Sequence, residues 1–402
     1  MKIILYILTI LALISSSCSQ AGQNQGEVII DDRILTGAEQ TSVYLPLLKG
    51  KKVAIVANQT SVIGYNHLVD SLLNLGVGIV KVFGPEHGFR GNAGAGEKVN
   101  TTTDEKTGLP IVSLYGKHKK PTPEDLKGID IVVFDIQDVG VRFYTYISTM
   151  SYVMEACAEN DVEMIVLDRP NPNGFYVDGP MLEPEFSSFV GLHPIPVVHG
   201  MTMGEYAQMV NGEEWLKDSV KCKMKVIPLK NYTHKSLYEL PVKPSPNLPN
   251  MDAIYLYPSL CFFEGTIISV GRGTEMPFQI IGHPDYRDGK TVFIPKPIIG
   301  AAPHPKYEGK VCYGVVLKDS VENPILQEKQ LHLSWLINTY TYFRGKDDFF
   351  NNFFDKLAGS DKLRKQILEG KTEEEIRQSW KAGLEGFKKI RKKYLLYEDF
   401  EQ

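Results

Sequence analysis

Cysteine is scarce in this chain, which has five cysteines in 402 residues. Four of them, Cys157, Cys222, Cys261 and Cys312, lie far apart, and none is in a Cys-x-x-Cys pair or at the spacing of a Cys/His zinc site. The pattern is not that of a disulfide-rich scaffold or a zinc-binding domain. We therefore expect these four residues to be buried free thiols.

An excess of charge of one sign is also missing. The chain has 44 Lys and Arg against 48 Asp and Glu, so its formal net charge is -4. Such a balance gives no electrostatic support for binding nucleic acid or an anionic membrane surface. Charged residues at 23% and hydrophobic residues at 43% are ordinary for a soluble globular protein, and the length favours two domains.

Several common catalytic motifs are absent from the sequence. The glycine-rich stretch from Gly91 to Lys98 fails as a phosphate-binding loop, because Glu97 stands where the lysine belongs and Val99 follows Lys98. No G-x-G-x-x-G follows the first predicted strand, so we predict no nucleotide cofactor. No G-x-S-x-G nucleophile elbow of a serine hydrolase is present.

The sequence argues less strongly against a metal-dependent hydrolase than against a nucleotide-binding protein or a serine hydrolase. No H-x-x-x-H or H-x-H spacing supports a metal site. A bound ion would require the convergence of His87, His199, Asp135, Asp138 and Asp168. We predict no metal, and keep a metal-dependent peptidoglycan hydrolase or amidase as an alternative.

The N-terminus has the pattern of an exported lipoprotein. Lys2 precedes an apolar run from Ile3 to Ile14, which is of signal-peptide length and too short to span a bilayer. Small residues then precede Cys18, as in a bacterial lipobox. We predict a signal peptide over residues 1–17, lipidation of Cys18, and a tether over residues 18–34 that leaves the protein periplasmic or membrane-anchored. Cleavage and release remains the alternative.

Short apolar runs alternate with helical patterns through the first half of the chain. The strands predicted in this way are Val53–Ala57, Val77–Phe83, Ile129–Phe134 and Glu163–Leu167. Helical spacing over His67–Leu75 and Tyr144–Asn160 separates them. The pattern predicts an α/β fold with a doubly wound, mostly parallel sheet. Further strands are predicted at Phe293–Ile299 and Val311–Leu317.

Polar clusters directly follow the predicted strands. Because ligands bind beyond the carboxyl ends of parallel strands, we expect these clusters to converge on one rim. The clusters are Asn58 and Gln59, Glu86 and His87, the group Asp135, Gln137 and Asp138, and the pair Asp168 and Arg169. The second cluster is on a loop with five interleaved glycines and also includes Arg90, a composition suited to close approach of a ligand.

Paired carboxylates favour glycoside hydrolysis, in which one acid protonates the leaving oxygen and a second group acts as nucleophile or base. The candidate carboxylates are Glu86, Asp135, Asp138, Asp168, Glu264 and Glu275. Four arginines could bind an anionic group of the substrate, namely Arg90, Arg142, Arg169 and Arg272.

Seven ordered segments carry a resemblance to a known family. They are GPEHGFRG, FDIQDVGVRFYTY, LDRPNPNG with VDGP, PVVHGMTMGEYA, PSPNLP, YPSLCFFEGT and SVGRGTEMPF. Together they resemble the exo-β-N-acetylmuramidases, formerly a domain of unknown function, from Leu35 to the C-terminus. One departure is Phe175, which replaces the second glycine common after Pro-Asn-Gly.

The resemblance implies a Rossmann-like catalytic domain over residues 35–250 and a smaller α+β auxiliary domain over residues 251–402, with the cleft between them. It also implies release of N-acetylmuramic acid (MurNAc) from the non-reducing end of peptidoglycan fragments in cell-wall turnover or recycling. The substrate would be a MurNAc-GlcNAc saccharide. A muropeptide-binding lipoprotein without catalysis is a further alternative, and the oligomeric state is open.

Roles for single residues follow from this interpretation. We predict that Glu86 is the general acid, that His87 orients it or binds the sugar, and that Arg90 holds the lactyl or N-acetyl group. The second carboxyl role could fall to Asp135, which is preferred, or to Asp138 or Asp168. Glu264 and Glu275 would contribute from across the cleft. The other predicted substrate-binding residues are Asn58, Gln137, Arg142, Tyr144, Arg169, Asn171, Asn173, His199, Asn247 and Arg272. The choice between retaining, inverting and substrate-assisted mechanisms stays open.

Overall fold

The computed structural model describes residues 32–91, 102–317, 324–345 and 348–401. The predicted signal peptide, Cys18 and most of the predicted tether lie outside these ranges, as does the part of the glycine-rich stretch after Gly91. Ile34–Gln402 form one compact unit. Among the described residues, no helix is long and apolar enough to cross a membrane.

The strands, in chain order, are β1 (Val53–Ala57), β2 (Val62–Ile63), β3 (Asn66–His67), β4 (Ile79–Gly84), β5 (Thr102–Thr103), β6 (Pro110–Ser113), β7 (Ile131–Asp135), β8 (Glu163–Leu167), β9 (Met224–Ile227), β10 (Ile280–His283), β11 (Thr291–Phe293) and β12 (Cys312–Val316). The helices are α1 (Thr41–Leu48), α2 (Leu68–Asn74), α3 (Pro123–Leu126), α4 (Tyr146–Glu159), α5 (Met203–Gly212), α6 (Met251–Leu260), α7 (Pro324–Glu328), α8 (Ser334–Tyr342), α9 (Phe354–Ala358), α10 (Lys362–Leu368) and α11 (Glu373–Arg391).

A seven-stranded sheet in the order β5-β6-β4-β1-β7-β8-β9 forms the centre of the N-terminal part. All neighbours pair in parallel except β5, which runs antiparallel to β6 at the edge. The central strands are mostly apolar because both faces of the sheet are covered, and β1 is apolar on every residue. In β1, Ala54 and Val56 face one apolar core, whereas Val53, Ile55 and Ala57 face the other.

Helices cover the two faces. Helices α4 and α5 pack on the first face, and α1 and α2 pack on the second. The prediction of a doubly wound, mostly parallel α/β sheet is confirmed.

The C-terminal part is smaller and combines helices with an antiparallel sheet. Its three strands lie in the order β10-β12-β11. The first core continues into this part through Phe262, Phe278 and Phe354, so the two parts share buried apolar surface. The long helix α11 is capped by Thr372 and contributes Trp380 and Phe387 to the same core.

Candidate active site

A cleft of about 150 Å³ opens beside the loop that follows β4. Of the residues predicted from sequence, six line it: Glu86, His87, Tyr144, Asn247, Glu264 and Arg272. The cleft thus combines the loop after β4, the start of α4, the Pro-rich segment 244–249 and the C-terminal part.

The loop after β4 has an unusual backbone at His87. This residue has φ of 68°, in the left-handed region that side chains other than glycine rarely adopt, and Gly88 follows with φ of 77°. The Gly88 N–H donates to the carbonyl of Pro85 at 2.9 Å and closes a tight turn. His87 is buried, with its Nε2 3.3 Å from the hydroxyl of Ser245. Such strained positions are common at functional sites.

Glu86 lines the cleft and is half-buried. The hydroxyl of Thr145 donates to its Oε2 at 3.1 Å, and the hydroxyl of Tyr146 donates to its backbone carbonyl at 3.4 Å. Thr145 is the residue before the first turn of α4. The positive end of the helix dipole therefore lies next to the Glu86 carboxyl group.

Aromatic side chains form one wall of the cleft. Tyr257 stands edge-to-face with Phe143, Tyr144 and Phe278, with ring centroids 5.5, 6.0 and 4.9 Å apart. The Tyr144 hydroxyl donates to the carbonyl of Pro244 at 2.8 Å. Burial raises the pKa of Tyr144 and Tyr257 well above the usual range, so both phenols stay neutral.

Glu264 and Arg272 form an ion pair in the cleft, with Arg272 Nε 2.7 Å from Glu264 Oε1. Their side chains are 24% and 27% exposed, so the pair is reachable from solvent. The guanidinium also lies over the ring of Phe278, 5.1 Å from its centroid. Asn247 closes the rim, where its Nδ2 donates to the carbonyl of Ala301 at 2.8 Å.

The other three predicted arginines do not line the cleft. Arg90 bonds Asp70 and Asp104 and stacks on Phe89. Arg142 is fully buried and donates to four backbone carbonyls, those of Pro180, Ile195, Leu357 and Ala358. Arg169 forms a buried ion pair with Asp135 at 2.6 Å.

The carboxylates at the ends of β7 and β8 are likewise engaged inside the protein. Asp168 is fully buried and accepts hydrogen bonds from Thr202, Tyr397 and the N–H of Gly204. Burial raises its pKa to about 6. Asp135 is held by Arg169. Neither Asp135 nor Asp168 lines the cleft, so neither carboxyl group is placed there to attack a sugar.

Asp138 and His199 face each other in the interior, with His199 Nε2 4.0 Å from Asp138 Oδ2. Asp138 Oδ2 accepts the N–H of Gly140 at 2.6 Å. Within the described part of the chain, Asp138 Oδ1 and His199 Nε2 have no hydrogen-bond partner. Burial raises the pKa of Asp138 to about 7 and lowers that of His199 to about 3, so His199 is neutral at physiological pH.

The remaining predicted residues hold turns or face solvent. Asn58 accepts the N–H of Thr60 at 2.9 Å, and Gln137 donates to the carbonyl of Pro170 at 2.6 Å. Asn171 donates to the carbonyl of Met201, and Asn173 to that of Val139, both at 2.8 Å. Glu275 is exposed and does not line the cleft. In the ranges that the structure covers, no group of three or more His, Cys, Asp or Glu could hold a metal ion.

Sequence analysis missed several residues of the cleft. Thr145, Ser245, Tyr257 and Phe278 all line it. Thr145 directly follows the predicted residue Tyr144 in the segment FYTY, and this adjacency could have indicated that it belongs to the site. Tyr257 and Phe278 are in apolar segments of the sequence, which indicate positions in the hydrophobic core.

The fold and the cleft define an α/β protein whose cleft is lined by a half-buried glutamate, several aromatic side chains and a paired arginine. These groups suit a polar ligand with some apolar surface. The sequence assigns the family. The chain matches the models of exo-beta-N-acetylmuramidase NamZ, N-terminal, over residues 53–252 and C-terminal over residues 255–397, and it belongs to that family.

Similar proteins include one from Bacillus subtilis (strain 168), peptidoglycan beta-N-acetylmuramidase NamZ. It is 42% identical over 372 residues, which cover 88% of this chain and 89% of the relative. Two crystal structures of DUF1343 family proteins from Bacteroides fragilis NCTC 9343 are also similar. One has a TM-score of 0.85 at 50% identity, and the other 0.75 at 32%; each covers 91% of this chain and 99% of its own.

Proposed function

We propose that this protein is an exo-acting β-N-acetylmuramidase that releases MurNAc from the non-reducing end of peptidoglycan fragments. Family membership and the activity named for the Bacillus subtilis relative support the reaction class. The observation that carries the proposal is that Glu86 lines the same cleft as the aromatic side chains and Arg272.

Glu86 is the general acid in this proposal. Its carboxyl group donates a proton to the glycosidic oxygen as the bond to the next sugar breaks. Thr145 holds one carboxyl oxygen at 3.1 Å and so fixes the direction of the group. The nearby start of α4 stabilises the carboxylate that remains after the proton is given up.

Arg272 is the residue that receives the lactyl carboxylate of MurNAc. Among the four predicted arginines, it is the one that lines the cleft, and its guanidinium is 27% exposed. Guanidinium and carboxylate form strong charge-assisted hydrogen bonds. Glu264 and Phe278 hold the guanidinium in place, and the aromatic wall offers apolar surface to the sugar ring.

The second catalytic role falls to the substrate in this proposal. Among the described residues that line the cleft, Glu86 and Glu264 carry the carboxylates, and Glu264 is paired with Arg272. The 2-acetamido oxygen of MurNAc attacks the anomeric carbon while the bond to the glycosidic oxygen, protonated by Glu86, breaks. Water then adds to the anomeric carbon of the resulting oxazoline, which breaks the new bond and releases MurNAc. This route predicts that MurNAc is first released with its β configuration, which NMR of the early product would show.

The test of the general acid is Glu86→Gln, assayed by release of MurNAc from a MurNAc-GlcNAc disaccharide. We expect kcat to fall about 100- to 10,000-fold, because the amide cannot donate the proton in the same way. Glu275→Gln, which changes an exposed glutamate outside the cleft, is the matched control and should keep its activity. Near wild-type release by Glu86→Gln would refute the assignment.

We further propose that the chain is exported and lipidated at Cys18. The apolar run and the small residues before Cys18 support this location. Cells fed a clickable fatty acid should label the wild-type protein and not Cys18→Ala, and the labelled protein should sediment with membranes. Equal labelling of both proteins would contradict lipidation at this residue.

A further inference from the structure

Gln59 does not line the cleft, yet its side chain contacts two segments that do. Its Nε2 donates to the carbonyl of Pro244 at 3.1 Å and to that of Lys243 at 3.4 Å. The same side chain lies against Gly91 in the loop after β4, where a Cβ atom would come within 3.0 Å of three carbons of Gln59. Gln59 therefore connects the Pro-rich segment 244–249 to the loop that carries Glu86.

The Pro-rich segment has few backbone donors of its own. Pro244, Pro246 and Pro249 lack an N–H group, so half of the six residues cannot donate a backbone hydrogen bond. The N–H of Leu248 donates to the carbonyl of Ser245 at 3.1 Å and closes a turn. Side chains from other parts of the fold therefore have to hold the segment in place.

The carbonyl of Pro244 receives two such side chains. The hydroxyl of Tyr144 donates to it at 2.8 Å, and Gln59 Nε2 at 3.1 Å. A carbonyl oxygen has two lone pairs, so it can accept both donors. The next residue, Ser245, lines the cleft with its hydroxyl 3.3 Å from His87 Nε2. The position of Pro244 thus determines where Ser245 meets the imidazole.

We propose that Gln59 is a positioning residue that holds the Pro-rich segment at the cleft and so determines how tightly the substrate binds. Three residues of this segment line the cleft, namely Ser245, Asn247 and Leu248. Gln59 acts through them, because its own side chain is outside the cleft. The inference rests on the proposed function, since the substrate is the MurNAc saccharide of that reaction.

Loss of the Gln59 amide should leave the stability of the fold nearly unchanged. In Gln59→Leu, the carbonyl of Pro244 keeps the hydroxyl of Tyr144 as its donor, and the bond to Lys243 is an exposed one. Gln59 Oε1 is buried and, in the described ranges, has no hydrogen-bond partner, so its removal leaves no donor unpaired. The melting temperature should therefore change by less than about 3 °C. An effect on substrate binding can then be separated from an effect on stability.

Steady-state kinetics with a MurNAc-GlcNAc disaccharide test the proposal. Gln59→Leu should raise KM about 5- to 20-fold and keep kcat within about twofold, because Thr145 still holds the Glu86 carboxyl group. Gln59→Glu places a carboxylate against two carbonyl oxygens and should raise KM further at about pH 8. At about pH 5 the protonated carboxyl group can donate to Pro244, so the ratio of the variant's KM to that of wild type should fall. A purely structural role would not make this ratio depend on pH.

Hydrogen exchange of the full chain gives a second readout that requires no turnover. In Gln59→Leu, the N–H groups of Asn247 and Leu248 should exchange at least about fivefold faster than in wild type, because the turn opens more often. Gln378→Leu, at an exposed position of α11, is the matched control and should keep wild-type kinetics and exchange.

A wild-type KM or wild-type exchange in Gln59→Leu would overturn the proposal. If the wild-type protein did not turn over the disaccharide, the proposed function would fail, and the exchange rates would still decide whether Gln59 holds the Pro-rich segment. If Gln59→Glu does not fold, the KM and the exchange rates of Gln59→Leu decide.

Discussion

Charged residues serve two different purposes in this molecule, and their exposure separates the two groups. Glu264 and Arg272 form their ion pair at about one-quarter exposure, where a ligand can reach it. Asp135 and Arg169 form theirs at 0% and 3% exposure, where no ligand can. A buried pair needs both partners, because removing one leaves an uncompensated charge. The Asp135–Arg169 pair therefore stabilises the edge of the sheet where strands β7 and β8 end.

A prediction about substrate specificity concerns the single residue Arg272. Arg272→Gln should lower kcat/KM for a MurNAc-terminated disaccharide about 10- to 100-fold, the worth of a charge-assisted hydrogen bond. The loss should be small for a GlcNAc-terminated analogue, which lacks the lactyl carboxylate. Arg287→Gln, at an exposed position, is the control. An equal loss on both substrates would show that Arg272 does not read the carboxylate.

Asp138 makes stability depend on pH. Its pKa in the folded protein is about 7, above the usual 3.8, so the fold disfavours the ionised form. The native state binds more protons than the unfolded chain between these two values, and stability falls as pH rises from about 4 to 7. Asp138→Asn should remove this fall. The free energy of unfolding of the variant minus that of wild type should therefore be higher at pH 8 than at pH 4, by up to about 4 kcal/mol. Urea unfolding at several pH values measures it, with the exposed Asp288→Asn as control. Parallel pH profiles for wild type and Asp138→Asn would contradict the explanation.

At the scale of elements, apolar runs were sufficient to predict the sheet. The four strands predicted in the N-terminal half correspond to β1, β4, β7 and β8, because strands covered on both faces are rich in apolar residues. The predicted strand Phe293–Ile299 was wrong beyond its first residue. Pro295 and Pro297 interrupt it, and proline cannot donate to a neighbouring strand. The strand predicted at Val311–Leu317 is present as β12.

The position of Glu86 could be predicted from the sequence, whereas the surroundings of the other polar clusters could not. A strand followed by Gly-Pro and a glycine-rich loop is a local pattern, and it led to Glu86 and His87. The partners of Asp168 are Thr202 and Tyr397, which are distant in the chain. No local pattern shows such a pairing, so a buried carboxylate and a catalytic one look the same in sequence.

At the scale of the whole molecule, Arg142 links the two parts of the chain. Its guanidinium bonds the carbonyls of Pro180 and Ile195 on one side and of Leu357 and Ala358 in α9 on the other. Burial lowers its pKa to about 9, which still leaves it charged at neutral pH. One side chain therefore satisfies four buried acceptors across this contact.

Loss of this link should weaken the whole fold. Arg142→Leu should lower the free energy of unfolding by about 3 to 5 kcal/mol, because the carbonyls lose their donor inside the protein. Arg364→Leu removes a partly exposed pair with Asp355 and should cost less than about 1 kcal/mol. Denaturant unfolding measures both. Similar midpoints for the two variants would show that the link contributes little.

The left-handed backbone at His87 allows the imidazole to be removed without disturbing the turn. Glycine adopts φ of 68° more readily than histidine, so His87→Gly relieves strain while it deletes the ring. The variant would leave a ring-sized space beside Ser245 at the edge of the cleft. Free imidazole added to the solution could then occupy that space, which would make the enzyme's activity depend on the concentration of a small molecule.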